Sequence, residues 1–138
     1  MITITLKGRT IPLLYTTWEL KTIQEEIGPI SLALKKVLGR NPEDDDDRSL
    51  YMGAEHLRSA AALIRILGNA GLEEAGMDAD LTDKKIMRGM KPNDMIEAIN
   101  RCMDAMAEGM ASEIPEKEET GPVDVTLEEI KKNEAKGG

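Results

Sequence analysis

Aromatic side chains, cysteine, histidine and long apolar runs are all scarce in this chain of 138 residues. Phenylalanine is absent, and one tryptophan and two tyrosines are the aromatic residues, so we expect an aliphatic, methionine-rich core. A single cysteine excludes an internal disulfide framework and a cysteine-rich zinc site. No apolar run approaches the roughly 20 residues that cross a bilayer, and no signal-peptide core follows the first methionine, which predicts a cytoplasmic protein.

Basic residues are also in deficit, because 18 Lys and Arg stand against 26 Asp and Glu, giving a formal charge of −8. An acidic chain is disfavoured at anionic membranes and on nucleic acid, so we expect neither as a partner. The acidity is concentrated at residues 40–48 and 112–138. We therefore predict one hairpin-plus-helical domain over residues 1–111, with an acidic loop at 40–48, followed by a flexible acidic tail over 112–138.

The fold class predicted from the periodicity is mainly α, with about five helices after a short N-terminal β-hairpin. Apolar residues alternate on both sides of Gly8, and Pro12 limits the length of the second strand. The first helix is predicted to begin at Thr16 with a capping box and to stop at Gly28. A second helix is expected to begin at a Ser31 cap.

The remaining helices are predicted from longer apolar repeats. The second helix is expected to end at Gly39, and a third spans residues 49–70, with Gly71 and Gly76 at its exit. Thr82 is predicted to cap a fourth helix that runs to residue 90, and Pro92 begins the fifth.

The fifth helix carries the clearest apolar stripe in the chain. Such a stripe is either part of the core or an adaptable surface for a partner, and a self-association interface would use the same residues. The candidate partner-binding residues are Met95, Ile99, Met103, Met106 and Met110. In the tail, Leu127 and Ile130 follow a capping-box pattern at Thr126 and form a second candidate contact.

No acid, base or nucleophile is placed by a recognisable motif, so we expect a protein that is not an enzyme and has no cofactor or bound metal. The single histidine, His56, has no motif that pairs it with Cys102. We interpret Cys102 as a small buried side chain and His56 as an exposed helix residue.

Two regulatory interpretations remain as alternatives to a partner-binding protein. The run from Asp44 to Asp47 offers oxygen ligands for metal sensing, but an EF-hand starting at Asp44 lacks its glycine. Residues 81–101 are locally basic and would serve a DNA-binding protein. The basic residues of that segment are Lys84, Lys85, Arg88, Lys91 and Arg101.

The order of motifs resembles the tail assembly chaperones of long-tailed, siphovirus-type bacteriophages. The resemblance covers roughly residues 2–111, beginning with the pattern I-x-L-K-G-R-x-I at 4–11 and T-T-W-E-L-K-x-I-x-E-E-x-G at 16–28. It continues with L-I-x-I-L-x-N-A-G at 63–71, L-T at 81–82 and M-K-P-N-D at 90–94. The aspartate loop is a departure from this pattern.

The resemblance implies a non-enzymatic helper of phage or prophage tail morphogenesis. Proteins of that family bind the tape-measure protein, keep its apolar helical segments soluble and recruit tail-tube subunits. They are absent from the finished virion, and a longer form made by ribosomal frameshifting is common among them. The implied partners are therefore the tape-measure and tail-tube proteins, together with further copies of this chain in a homo-oligomer.

Overall fold

A computed structural model describes residues 1–39 and 53–111, and these residues confirm a mainly α fold with an N-terminal hairpin. The strands are β1 (Thr3–Leu6) and β2 (Arg9–Pro12). The helices are α1 (Thr17–Glu26), α2 (Ile30–Val37), α3 (Ala54–Glu74), α4 (Asp83–Gly89) and α5 (Pro92–Gly109). The acidic loop at 40–48 and the tail at 112–138 lie outside the described residues.

The two strands pair antiparallel across a two-residue turn. Both turn residues have positive φ, 50° at Lys7 and 78° at Gly8, as a type I′ turn requires. The second strand ends at Pro12, which has no N–H to donate, and the Leu13 N–H donates to the Ile2 carbonyl at 2.9 Å. One face of the hairpin is buried and carries Ile4, Leu6 and Ile11.

Helix α1 has the predicted capping box. The Thr16 N–H donates to Glu19 Oε1 at 2.9 Å, and the Trp18 N–H donates to the Thr16 hydroxyl at 3.3 Å. Gly28, with φ of 139°, follows the end of the helix as expected. Ile23 is the buried apolar side chain of this helix, and Glu19, which turns back to the cap, is also buried.

The prediction that Ser31 caps α2 is wrong. The helix begins at Ile30 with Pro29 as its N-cap, two residues before the cap predicted at Ser31, and Ser31 is an exposed residue in its first turn. The Ile30 N–H donates to the side-chain oxygen of Gln24 at 3.3 Å, so a residue of α1 satisfies one of the N–H groups left without a helical partner at the start of α2. At the other end, Gly39 has φ of 74° and confirms the predicted stop.

Helix α3 is the centre of the fold, since it contacts the other four helices and β2. Its end is a Schellman motif: the Gly76 N–H donates to the Glu73 carbonyl at 3.0 Å and the Met77 N–H to the Leu72 carbonyl at 2.8 Å. The helix runs four residues beyond the predicted end at residue 70, through Gly71 to Glu74, and its exit lies between Gly71 and Gly76 as expected.

Gly71 has a packing role inside the helix. A Cβ at this position would lie 1.9 Å from the Pro12 carbonyl oxygen, so the backbone of β2 approaches closer than any side chain would allow. Nearby, the Leu14 N–H donates to the Leu67 carbonyl at 3.1 Å. We call this contact, made by Pro12, Leu14, Leu67 and Gly71, the Gly71 seam.

Polar contacts attach the later helices to α3. Asn69 uses both ends of its amide on the backbone of Leu81, donating to its carbonyl at 3.1 Å and accepting from its N–H at 2.9 Å. Arg65 donates to Glu26 at 2.6 Å and to Asp83 at 2.7 Å, which links α1, α3 and α4. Thr82 caps α4 as predicted, accepting from the Lys85 N–H, and Pro92 begins α5.

Candidate partner-binding surface

The apolar stripe of α5 lies mostly inside the chain itself. Met95, Ile99 and Met106 are buried, and Met103 is partly buried against the core. Met110, at the end of the helix, is 73% exposed. A partner meeting this conformation therefore reaches Met110 and part of Met103, and partner binding by the full stripe stays a prediction. Leu127 and Ile130 lie outside the described residues.

Cys102 and His56 are both buried. Cys102 is fully buried on α5, and burial raises the pKa of its thiol to about 12, so the thiol stays protonated at neutral pH. The prediction that His56 is exposed is wrong, because His56 packs between α2 and α3, with Nδ1 2.9 Å from the Lys36 carbonyl oxygen. A carbonyl oxygen only accepts hydrogen bonds, so Nδ1 carries the proton and the ring links α3 to α2.

The basic segment over 81–101 divides between surface and core. Lys84, Lys85 and Arg88 are exposed on α4, whereas Ile86 is buried beneath them. Lys85 donates to the Asp80 carbonyl at 3.0 Å, which ties one of these cations to the preceding loop. The exposed cations therefore belong to a helix of seven residues.

A groove of about 540 Å³ runs between β1 and α5. The Arg101 Nε–H crosses it to donate to the Thr3 carbonyl at 3.2 Å, on the edge of β1 that β2 does not pair. Its charged lining is mixed, with Lys7 and Arg101 against Asp94 and Glu97. The groove thus shows no single sign of charge that would select a ligand.

Trp18 is the most exposed aromatic side chain in the described residues, and it is not among the candidate binding residues predicted from the sequence. Trp18 is 66% exposed, and the ammonium of Lys21 lies 4.4 Å from the centre of its ring. The side chain borders a hollow of about 430 Å³ beside the last turns of α3. We call the group Leu14, Trp18, Ala70, Glu73 and Glu74 the Trp18 surface.

The helical spacing of α1 explains why Trp18 faces outward. At 100° per residue, Trp18 lies opposite Ile23 and Ile27, the residues that direct this helix onto the core. The signal was therefore present in the sequence as a single tryptophan on the polar side of an amphipathic helix. The apolar stripes that predict the core and the candidate partner-binding residues do not include Trp18.

The end of α5 lies next to the start of α1. A Cβ at Gly109 would be 2.3 Å from the Tyr15 carbonyl oxygen, so the two backbones are in direct contact three residues before Trp18. Tyr15 itself is buried, and burial raises the pKa of its phenol. The chain therefore leaves the described fold on the side that carries Trp18.

The described residues contain no group of three or more His, Cys, Asp and Glu side chains arranged to hold a metal ion. The aspartates from Asp44 to Asp47 fall outside that part of the chain. Among the helices that the structure describes, none has both the length and the apolar character of a membrane span. Comparison with protein-family models, with curated proteins and with solved structures finds no match to this chain.

Proposed function

We propose that this protein is a non-enzymatic tail assembly chaperone of a long-tailed phage or prophage, which binds the tape-measure protein and recruits tail-tube subunits. Support comes from the resemblance of residues 2–111 and from one observation, the exposure of Trp18 on a surface that also carries Leu14 and Ala70. Tryptophan is the side chain most enriched among residues that dominate binding energy at protein interfaces.

The composition of the Trp18 surface indicates what kind of client segment it accepts. The indole and Leu14 offer apolar area, and Glu73 and Glu74 are exposed carboxylates at its border. An amphipathic client helix with apolar residues next to Lys or Arg would complement both features. Met110 is exposed at the nearby end of α5, and we include this one residue of the predicted stripe in the proposed binding surface.

The same proposal places the protein in the cytoplasm of the bacterial host and outside the mature virion. Further copies of this chain are proposed to join the complex, since a client with many apolar helical segments offers many equivalent sites.

Co-expression with the tape-measure protein encoded by a neighbouring gene tests this function. We expect a soluble complex on co-purification and light scattering, with the client insoluble when expressed alone. Trp18→Ala is expected to reduce the recovered complex by about tenfold or more, the effect of losing a hot-spot residue. Met87→Ala, which removes another exposed apolar side chain far along the chain on α4, is the matched control.

The proposal fails if the client is soluble alone, if no complex forms, or if Trp18→Ala and Met87→Ala recover equal amounts of complex. The second candidate is the DNA-binding protein, which the exposure of Lys84, Lys85 and Arg88 favours. Titration with duplex DNA at two salt concentrations separates the two functions, because binding through phosphates weakens steeply as salt rises.

A further inference from the structure

The Trp18 surface has apolar and acidic groups that find no partner within the described residues. The indole of Trp18 is two-thirds exposed despite its contact with Lys21. Neither Glu73 nor Glu74 takes part in any ion pair formed between residues of the described ranges. An occupant of this surface must therefore bring apolar side chains together with positive charge.

A second copy of this chain does not meet that requirement through a symmetric contact. A two-fold contact centred on Trp18 would bring the Glu73 and Glu74 carboxylates of one copy against those of the other. Like charges in an interface oppose association. A segment that presents a lysine or arginine to these carboxylates fits the surface better.

The tail contains one segment with the required composition. Within residues 112–138, apolar residues and paired lysines occur together at 127–132, which reads L-E-E-I-K-K. The capping-box pattern at Thr126 predicts a helical turn there, and this would place Leu127, Ile130 and Lys131 on one face. Lys131, on that face, is opposite in sign to Glu73 and Glu74, whereas Glu128, Glu129 and Lys132 lie off the face.

The position at which the chain leaves the fold brings this segment within reach. Gly109 lies against Tyr15, next to the cap of the helix that carries Trp18. Fifteen residues, 112–126, separate the last described residue from Leu127. At 3.3–3.6 Å per residue they extend to about 50 Å, which spans the width of a domain of this size.

We propose that residues 127–132 bind the Trp18 surface of their own chain, with Leu127 and Ile130 against the indole and Lys131, on the same helical face, near Glu73 and Glu74. Because the segment is tethered, its effective concentration at the surface is in the millimolar range, so a contact of millimolar affinity occupies about half of the molecules. Any external partner of this surface must displace the segment. The proposal does not depend on the identity of that partner.

The single tryptophan of the full-length chain reports on this contact directly. Acrylamide quenching of Trp18 fluorescence is measured for the unaltered chain and for Ile130→Ser and the pair Lys131→Glu with Lys132→Glu. The quenching constant is expected to rise by about twofold in both variants, as follows when a half-occupied protective contact is lost. The matched controls in the same tail are Val123→Ser and the pair Lys117→Glu with Lys136→Glu, which should leave quenching unchanged.

A charge exchange makes the test specific. Adding Glu73→Lys and Glu74→Lys to the variant with Lys131→Glu and Lys132→Glu is expected to restore the original quenching. Equal quenching in the unaltered chain and in both tail variants would overturn the proposal and leave the surface free for an external partner. Protection that disappears on dilution would also overturn it, because a tethered contact does not depend on protein concentration and a contact from a second copy does.

Discussion

The Gly71 seam and the Trp18 surface lie within a few residues of each other along the chain, yet their packing is opposite. At the seam, the Pro12 carbonyl approaches α3 so closely that glycine is required, and the Leu14 N–H donates to a helix carbonyl. At the surface, Trp18 is exposed and nearby carboxylates have no ion-pair partner in the described residues. The short connection between β2 and α1 thus fixes the hairpin at one end and leads to an exposed aromatic side chain at the other.

This difference predicts where substitutions act. Close backbone contacts leave no room for added atoms, so changes at the seam should lower the free energy of unfolding. Changes at the exposed indole should affect binding and leave the free energy of unfolding nearly unchanged. The following variants test whether the two regions separate in this way.

Gly71→Ala should have the largest effect on stability. Alanine favours helix over glycine by about 1 kcal/mol, but its Cβ would overlap the Pro12 carbonyl, and we expect a net loss of at least about 3 kcal/mol in the free energy of unfolding. Urea denaturation followed by circular dichroism measures the loss.

Gly68→Ala is the matched control on the same helix. Its Cβ would meet the end of the Leu81 side chain at 2.6 Å, and a side-chain terminus can move where a backbone carbonyl cannot. We expect a change within about 1 kcal/mol of the unaltered protein. Equal losses of unfolding free energy in the two variants would show that the close approach of β2 is not what destabilises Gly71→Ala.

Met106→Lys should have the next largest effect, and Met110→Lys should have little. Met106 is buried on the core side of α5, so a charge there is expected to lower the free energy of unfolding by about 3 kcal/mol. Met110 is exposed, and its change should stay within about 0.5 kcal/mol. Thermal and urea denaturation of both variants measure the difference.

This pair also decides between the two interpretations of the stripe. If Met106→Lys keeps its stability and loses client binding, the stripe is a partner face and the buried conformation is not the one that binds. If only stability is lost, binding on this side of the molecule rests on Met110 and the Trp18 surface.

Arg65→Gln tests how α1, and with it Trp18, is held on the fold. The hydrogen bond with Glu26 contributes most to the raised pKa of Arg65, whose guanidinium also binds Asp83. Removing these partly exposed charge-assisted bonds should lower the free energy of unfolding by about 1–2 kcal/mol. Arg58→Gln, on the exposed side of the same helix, is the control and should change it by less than about 0.5 kcal/mol. Equal effects in urea denaturation would exclude a special role for the Arg65 link.

Local patterns in the sequence predicted much of the fold. The alternation before and after Gly8, the cap at Thr16 and the stop at Gly28 each depend on residues close in sequence, so they could be identified without tertiary information. The same holds for the Thr82 cap and for Pro92 at the start of α5.

The errors occurred where a distant residue decides. Gly71 follows an apolar run and resembles a helix stop, but its function is to admit the Pro12 carbonyl from a strand far along the chain. Ser31 lies inside α2 because the helix begins at Ile30, and His56 is buried against a carbonyl of α2. The α5 stripe was recognised, but periodicity alone does not tell a core face from a partner face.

The ion pair between Arg9 and Asp80 gives the smallest expected effect and tests whether electrostatics contribute to the attachment of the hairpin. The Arg9 guanidinium donates to Asp80 at 3.0 Å and holds the pKa of that carboxyl below its usual range. A lowered pKa stabilises the folded state above the ordinary carboxyl pKa, and this contribution is lost as the pH falls through the lowered value.

Asp80→Asn should therefore lower Tm by no more than about 2 °C at pH 7, because both partners are exposed, and the difference from the unaltered protein should vanish once the pH falls below the lowered pKa of Asp80. Asp78→Asn is the control, since Arg9 contacts Asp78 only through its backbone carbonyl, at 3.3 Å. A Tm difference for Asp80→Asn that is independent of pH would assign the effect to packing. In that case the hairpin would be held without a contribution from this ion pair, by its buried apolar face and the close contacts of the Gly71 seam, and the contrast with the charged border of the Trp18 surface would be sharper still.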